Sequence, residues 1–351
     1  MTTRFRSTLV SAAAAALVVP FLAAIAGAAP ASASSPRPHE VAMYKVEKHV
    51  DVAGEYPDNY LREDLSCNGG DYALDGMWRV DHVDQANPPE TTGDERDVVF
   101  TASYSDWSNP SWWHFRAHNY ADGDAQVKLF LTCIRSSVEQ TYNHSHAVKI
   151  SDRYIDSSHT DLAAGTHEWD HAMTCDPGML AVAPGFAFTK TSDPSAGDDD
   201  HRVQLFRSWP TPTLRGWHWA FLVKDPNVNV DLTLRCLKVR TGPGGAGGHV
   251  HNLLWAWRPN GYDGDHQFLN VVGTQERRIS CDDGSDGRLF QDYKAMVGAF
   301  WTNDPFHTWF LGMDPRPKQR AYKFWWDGSG DNNVYLAPLC IRTRTGKQLA
   351  P

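Results

Sequence analysis

A short segment that alternates apolar and polar residues and ends in a cysteine occurs three times in this chain. The copies are 127-VKLFLTC-133, 230-VDLTLRC-236 and 334-VYLAPLC-340. Apolar residues at a spacing of two place one face of the segment against a core and the other toward water, which is typical of a half-buried β-strand. Pro338 interrupts the third copy and predicts a sheet edge or a bulge there. The pattern indicates that one β-rich unit is repeated three times.

Other landmarks recur at nearly the same interval. His39, His144 and His249 begin the three copies at a spacing of 105 residues. The first cysteine of each copy is followed three places later by a glycine, which is typical of a strand that ends in a tight turn. Two aromatic residues at a spacing of two also recur and predict core positions on one strand face. These pairs are Trp113 and Phe115, Trp217 and Trp219, and Phe324 and Trp326.

The six cysteines fall into three pairs, two per copy. An even number of cysteines at regular spacing in an exported protein indicates disulfide bonds. Because a duplicated unit carries its own bridge, we expect Cys67–Cys133, Cys175–Cys236 and Cys281–Cys340. Closing loops of this length stabilises each unit by about 4 kcal/mol in the chain-entropy model.

These features predict an all-β protein of three tandem homologous β-sandwich-like modules of about 105 residues, each with five to seven strands and one disulfide. Module 1 spans 34–140, module 2 spans 141–240 and module 3 spans 249–345. The Gly-rich segment 241–248 is predicted to be a flexible linker that lets a module swing. The alternative is one closed β body with three-fold pseudosymmetry, in which each repeat supplies one sheet.

The first residues have the pattern of a secretory signal peptide. Arg4 and Arg6 precede an apolar run over 9–28, and 31-ASA-33 is a small-x-small cleavage site. Removal of 1–33 changes the formal net charge from −9 to −11 because the segment contains two arginines and no acidic residue. An acidic chain without a basic cluster is a poor nucleic-acid binder. We therefore expect a secreted, extracellular bacterial protein without nucleic-acid partners or membrane insertion.

One motif suggests an enzyme. The segment 167-HEWDH-171 fits H-E-x-x-H, in which two histidines on one helical face bind zinc and the glutamate acts as general base. The repeat instead predicts an extended segment before Cys175. On a strand, His167 and His171 would lie about 13 Å apart, too far for one ion. A zinc hydrolase using His167, Glu168 and His171 is therefore the alternative to a protein without catalytic residues.

Two kinds of metal site can be considered besides this motif. His144 and His146, together with His249 and His251, have the alternate spacing at which strand residues share a face and can form half of a transition-metal site. The competing interpretation is that they are structural histidines at strand starts. Acidic turn residues suit weak extracellular calcium sites, although none has the spacing of a known calcium loop. These residues are Asp122, Asp124, Asp198, Asp199, Asp200, Asp263, Asp265, Asp282, Asp283, Asp286, Asp327 and Asp331. No cofactor is required, and calcium or zinc are the ions considered.

Tryptophans not shared by the copies are the candidate ligand contacts. They lie in or beside segments rich in Pro, Ser, Asn and Thr, which predicts exposed rings on loops. Exposed aromatic rings next to polar side chains commonly hold sugars and polymers. The candidates are Trp107, Trp112, Trp209, Trp301, Trp309 and Trp325.

Three functions follow in order of preference. The first is a non-catalytic adhesin-like protein whose aromatic loops bind a cell-surface or extracellular polymer, with carbohydrate as the expected ligand. Triplication favours this function because linked weak sites increase avidity. The second is a structural or adaptor component of an extracellular protein assembly. The third is the zinc-dependent hydrolase.

Overall fold

The protein is described by a computed structural model. It describes residues 39–54, 59–83, 95–121, 123–138, 144–151, 154–169, 173–190, 203–224, 226–244, 248, 250–257, 267–269, 272–281, 293–329 and 333–343. The predicted signal peptide, 1–33, lies outside these residues. No helix in the described part of the chain is long and apolar enough to span a membrane.

Nineteen strands and two 3₁₀ turns make up the described secondary structure. Module 1 contains β1 (Met43–Val52), β2 (Tyr60–Ser66), β3 (Tyr72–Val83), the turn Glu95–Asp97, β4 (Val98–Ser105), β5 (Trp112–Asn119) and β6 (Ala125–Ile134). Module 2 contains β7 (Ile155–Leu162), β8 (Gly165–Trp169), β9 (Met179–Lys190), β10 (Val203–Pro210), β11 (Trp217–Val223) and β12 (Val228–Lys238). Module 3 contains β13 (Leu253–Trp257), β14 (Gln267–Leu269), β15 (Val272–Ser280), β16 (Lys294–Thr302), β17 (Thr308–Arg316), the turn Pro317–Gln319, β18 (Ala321–Ser329) and β19 (Asn333–Thr343). The all-β prediction is confirmed.

The repeated cysteine segments form β6, β12 and β19. In β6, the side chains of Val127, Leu129 and Leu131 are fully buried, as the alternation predicts. The expectation for Pro338 is only partly met, because β19 lies between β13 and β16 rather than at an edge. Pro338 falls between the stretches of β19 that pair with β13 and with β14, where its missing N–H costs no hydrogen bond to either strand.

The three disulfides pair as expected. Cys67 bonds Cys133, Cys175 bonds Cys236 and Cys281 bonds Cys340, so each module contains its own bridge. In module 1 the bridge joins the end of β2 to β6, which belong to different sheets. The recurrent aromatic residues are also buried in the core, with Trp113 and Trp217 inaccessible to solvent.

Every sheet is built from two modules. The strand orders are β1-β6-β3-β17-β18-β15, β2-β5-β4-β9-β12-β7 and β13-β19-β16-β10-β11-β8, with β14 added beside β19. Each module therefore gives three strands to one sheet and three to another, and module 3 adds β14 to one of its two sheets. The topology repeats with three-fold pseudosymmetry, because equivalent strands occupy equivalent places in all three sheets.

Three strand junctions close the modules into a ring. β4 pairs with β9 between modules 1 and 2, β10 with β16 between modules 2 and 3, and β3 with β17 between modules 1 and 3. At the last junction Gly312 lies opposite Arg79 with φ of +135°. A Cβ on Gly312 would lie 1.9 Å from the Trp78 carbonyl oxygen, so only glycine permits this approach.

The closed body is thus the correct one of the two predicted arrangements, with the difference that a module supplies halves of two sheets rather than one whole sheet. Separate sandwiches are not observed among the described residues, which belong to one compact unit. The start of segment 241–248, which is predicted to be a flexible linker, is bonded to neighbouring segments through its backbone. The Thr241 amide donates a hydrogen bond to the His251 carbonyl, and the Gly242 amide to the Ala147 carbonyl.

Candidate functional site

Two exposed tryptophans lie on one hairpin of module 1. We call residues 105–113 the tryptophan hairpin; it joins the end of β4 to the start of β5. Trp107 is 75% exposed and Trp112 is 45% exposed, whereas the neighbouring Trp113 is buried in the core. These two rings are the predicted ligand contacts that the structure places at the surface.

Asp106 organises the loop of the hairpin. Its Oδ1 accepts hydrogen bonds from the Ser108 amide at 2.8 Å, the Ser108 hydroxyl at 2.7 Å and the Asn109 amide at 2.7 Å. Its Oδ2 lies 3.0 Å from Nε2 of His114. Burial acts to raise the pKa of Asp106, but the bonds from Ser108, His114 and Asn109 outweigh it and lower the pKa to about 2. Asp106 is therefore ionised at neutral pH and fixes the loop conformation.

Arg235 of module 2 anchors the same hairpin from inside. Its side chain is 3% exposed, and its Nε donates to the Ser105 hydroxyl at 3.3 Å. Its terminal nitrogen donates to the carbonyls of Asp106 and, at 3.3 Å, of Trp107. The guanidinium also lies 4.9 Å from the ring of Tyr154. The tryptophan hairpin is thus held on the β4–β9 junction by a residue of the neighbouring module.

Polar side chains lie on the sheet face beside Trp112. Ser66 is paired directly with Trp112, and Asp64 with His114, across the β2–β5 ladder. Directly paired residues lie on the same face of an antiparallel sheet. Nδ1 of His114 lies 2.6 Å from Oδ1 of Asp64, whose side chain is 56% exposed. The sheet face therefore combines the exposed indole ring of Trp112 with hydroxyl and carboxylate groups.

The other four candidate tryptophans lie in strands rather than loops. Trp325, in β18, is only 4% exposed and lies between the cationic groups of Arg79 and Lys323, at 4.2 and 4.8 Å from its ring. Its Nε1 donates to Glu276 at 3.0 Å. The expectation of an exposed loop residue is wrong for Trp325.

Trp209, Trp301 and Trp309 are half-buried on sheet faces. Trp301 in β16 stacks on Tyr335 with ring centroids 4.5 Å apart, and Arg207 lies 5.2 Å from its ring. Trp209 in β10 contacts Trp301 at 6.4 Å. Trp309 in β17 is covered by the guanidinium of Arg96 at 4.7 Å. The presence of Pro and Ser near a tryptophan in the sequence therefore does not show whether that tryptophan lies in a strand or in a loop.

The H-E-x-x-H segment does not form a helix where it is described. His167 and Glu168 belong to β8, while His171 lies outside the described residues. Nε2 of His167 lies 2.8 Å from the Ala163 carbonyl, and Glu168 faces Arg207 at 3.4 Å. His167 and Glu168 thus lack the helical arrangement that the zinc-hydrolase motif requires.

Histidines from all three modules meet at a second place. The rings of His39, His144, His146 and His251 lie with centroids 4.5–5.3 Å apart in their contacting pairs. His249 lies outside the described residues. The sequence identified His144, His146 and His251 as a possible metal site but did not include His39, although its position at the start of a repeat was the available signal.

Most of the acidic turn residues considered as calcium ligands lie outside the described residues. Of those considered for calcium, only Asp124 and Asp327 are among the described residues. Asp124 accepts a bond from the Gly54 amide, and Asp327 lies 3.5 Å from Arg96. Arg235, which anchors the tryptophan hairpin, was missed because its role depends on contact between modules. Asp106 was missed because its bonds depend on the conformation of the loop. Comparison of the chain with models of protein families and with curated proteins finds no match.

Proposed function

We propose that this is a secreted, non-catalytic protein that binds an extracellular or cell-surface carbohydrate polymer through the tryptophan hairpin. The observation that carries the proposal is the 75% exposure of Trp107 on a loop fixed by Asp106 and Arg235. A large apolar ring held in water by a rigid loop is typical of a binding site, since fixing the site in advance reduces the entropy lost on binding.

The surroundings of the rings favour a sugar as ligand. A pyranose has apolar C–H groups on its faces, which pack on an indole ring, and hydroxyl groups at its edge, which need hydrogen-bond partners. Asp64 and Ser66 can supply such partners beside Trp112. The exposed parts of the two rings together offer roughly 200–300 Å². A standard protein interface needs about 800 Å² per partner, so the exposed rings alone fit a smaller ligand better.

Secretion is supported by two features. Three disulfides require an oxidising environment, and Arg4, Arg6 and the apolar run before 31-ASA-33 have the pattern of an export signal.

The proposal places one site on the chain rather than three. The loops equivalent to the tryptophan hairpin are 211–216 in module 2 and 317–320 in module 3, and neither contains a tryptophan. In module 2 this loop turns inward, with Leu214 buried and Arg215 donating to the Cys175 carbonyl. Triplication of the module therefore does not increase the avidity of this site, and the repeats serve to build one body.

Binding to insoluble polysaccharides and to a glycan array tests the proposal. We expect Trp107→Ala and Trp112→Ala each to weaken binding about tenfold or more, because covering an aromatic ring contributes about 1.5–3 kcal/mol. Phe306→Ala is the matched control, since Phe306 is 61% exposed on the turn between β16 and β17 of module 3. Its affinity should equal that of the unmodified protein.

Two results would contradict the proposal. One is equal loss of glycan binding in the Phe306→Ala control. The other is an absence of glycan binding together with a stoichiometric protein partner captured from culture medium, which would favour the adaptor function instead.

A further inference from the structure

We propose that His39, His144, His146 and His251 bind one transition-metal ion, with zinc(II) as the expected ion, where the three modules meet. This site is separate from the tryptophan hairpin and goes beyond the proposed carbohydrate binding. The four residues come from the starts of the three repeats, so closure of the ring is what brings them together.

The histidine segments are held in place by the backbone. Before β1, the His39 carbonyl accepts a hydrogen bond from the Thr343 hydroxyl at the end of β19. The His146 carbonyl accepts from the Val138 amide at 2.9 Å, and the His251 carbonyl from the Thr241 amide at 2.9 Å. Metal ligands that are already fixed lose little conformational entropy when an ion binds.

The side-chain geometry is close to that of a metal centre. One ring nitrogen from each of His39, His144 and His146 lies within 4.8 Å of the others. Tetrahedral zinc with bonds of about 2.0–2.1 Å needs nitrogens about 3.3 Å apart, which small side-chain rotations can reach. The ring of His251 contacts His146 at 4.5 Å and His39 at 5.0 Å, so it is placed to supply the fourth nitrogen.

The ring of His146 is oriented for metal binding by a neighbouring carbonyl. Its Nδ1 lies 3.1 Å from the Gly242 oxygen, and a carbonyl oxygen only accepts hydrogen bonds. Nδ1 therefore carries the proton, which leaves the lone pair of the neutral ring on Nε2. A backbone carbonyl that fixes the tautomer in this way is a common partner of metal-binding histidines.

The Gly-rich segment lies against the same ring. A Cβ on Gly244 would lie 2.9 Å from Nδ1 of His146 and 2.4 Å from the Ser145 carbonyl oxygen. Glycine at 244 thus lets the chain pass close to the histidine cluster. This contact gives the segment a role at the cluster in place of the predicted flexible linker.

The donor set selects the class of metal. The grouped ligand atoms are imidazole nitrogens only. All six cysteines of the chain are bonded in disulfides and cannot act as thiolate ligands. Imidazole ligands suit zinc, copper and nickel, whereas calcium and magnesium require oxygen ligands. Because His39 and His146 are buried, we expect an ion that stabilises the closed ring rather than one open to substrate.

The test uses the full chain after treatment with a chelator. Equilibrium dialysis with zinc(II) should give about one ion per chain, and a hundredfold excess over the Kd should raise the Tm by about 4 °C. Calcium(II) should give neither effect. Cobalt(II) should produce the intense visible absorption of a tetrahedral site with nitrogen ligands.

Matched variants separate metal binding from ring packing. The zinc affinity of His39→Ala and of His146→Ala should be at least tenfold weaker. Neither variant should show the zinc-dependent rise in Tm, whether or not its Tm without metal changes. His49→Ala is the control because His49 is a solvent-exposed residue of β1. His144→Ala, at a half-buried position, provides the same test if the buried variants do not fold.

The proposal is overturned if equilibrium dialysis of the unmodified protein gives fewer than about 0.1 zinc ions per chain. It is also overturned if zinc binding is unchanged in folded His144→Ala or His39→Ala. The dialysis result on the unmodified chain decides the matter even if every variant misfolds. Glycan binding is measured separately, so failure of one proposal does not imply failure of the other.

Discussion

Two carboxylates of module 1, one at each of its junctions, have pKa values shifted in opposite directions. Asp106 lies at the β4–β9 junction with module 2, and its pKa is lowered to about 2. Asp75 lies fully buried near the β3–β17 junction with module 3. Burial raises its pKa to about 7, although bonds from the Gly298 amide and the Tyr322 hydroxyl act to lower it. An aspartate side chain therefore lies at each junction, with its pKa lowered at one junction and raised at the other.

The difference follows from the available donors. Asp106 receives several hydrogen bonds near the surface. Among the described residues, Asp75 has hydrogen-bond partners only at Oδ2, namely the Gly298 amide and the Tyr322 hydroxyl, both at 2.9 Å. The Tyr322 hydroxyl has one proton and also lies 3.0 Å from the Met296 carbonyl, which can only accept. A protonated Asp75 resolves this conflict by donating to Tyr322. Below about pH 7 the junction that closes the ring is thus an uncharged polar network, whereas the other junction supports a charged surface loop.

The largest expected effect comes from Asp75→Asn. Because the pKa of Asp75 is raised, the folded state binds the proton more tightly, and stability falls as pH rises from about 4 to about 7. Asparagine mimics the protonated acid and removes this loss. At pH 8 we expect the variant to exceed the unmodified protein by about 3 kcal/mol in denaturant unfolding, with similar stabilities at pH 4. If the free energy of unfolding changes with pH in the same way in both proteins, the protonation of Asp75 does not distinguish this junction from that of Asp106.

Replacing Arg235 tests the other junction. Arg235→Met keeps the aliphatic part of the side chain but removes the donors to Ser105, Asp106 and Trp107. We expect a loss of about 2–3 kcal/mol in the free energy of unfolding because buried acceptors lose their partners. Glycan affinity should fall as well. In the control Arg207→Met, the lost cation covers Trp301 on a sheet face, and the cost should stay below about 1 kcal/mol.

Asp106→Asn should have the opposite pH dependence to Asp75→Asn. The pKa of Asp106 is lowered, so its stabilising effect is present above about pH 4 and is lost as pH falls toward 2. We expect the variant to be about 1–2 kcal/mol less stable at pH 7 and to match the unmodified protein near pH 2. Asp64→Asn, at a more exposed position of the same face, is the control and should change stability little.

Trp107→Ala should have the smallest effect on stability. Because the ring is mostly in solvent, unfolding should change by no more than about 0.5 kcal/mol. Trp113→Ala, six residues later in the same hairpin, should cost about 3–5 kcal/mol because that ring fills the core. If Trp107→Ala destabilises the fold as much as Trp113→Ala, then Trp107 is a structural residue and the proposed binding surface is wrong.

The sequence predicted the contents of each module well. Local alternation identified the strands β6, β12 and β19, and repetition of the cysteines gave all three disulfides. Both signals lie within one repeat. The pairing of β3 with β17 could not be predicted, because it depends on the free edges of strands more than 200 residues apart and has no sequence pattern of its own.

In the candidate sites, too, the features that depend on one module were predicted and those that depend on contacts between modules were not. Exposure of Trp107 and Trp112 was expected from their loop, but the burial of Trp325 depends on Arg79 of another module. The histidines were recognised as a possible set, yet their convergence requires the ring to close. In module 3 the residue that corresponds to Trp217 is Tyr322, which lies opposite Pro315 as Trp217 lies opposite Pro210. The predicted pair Phe324 and Trp326 was therefore shifted by two residues, although both are buried.

The bond between the Thr343 hydroxyl and the His39 carbonyl brings the first and last described residues into contact. A short peptide joining these two positions, with new termini opened between another pair of modules, would preserve every strand pairing described above. Such a circular permutant should fold to the same body. The fold therefore does not depend on which module comes first in the chain. It depends on the cyclic order of the strands.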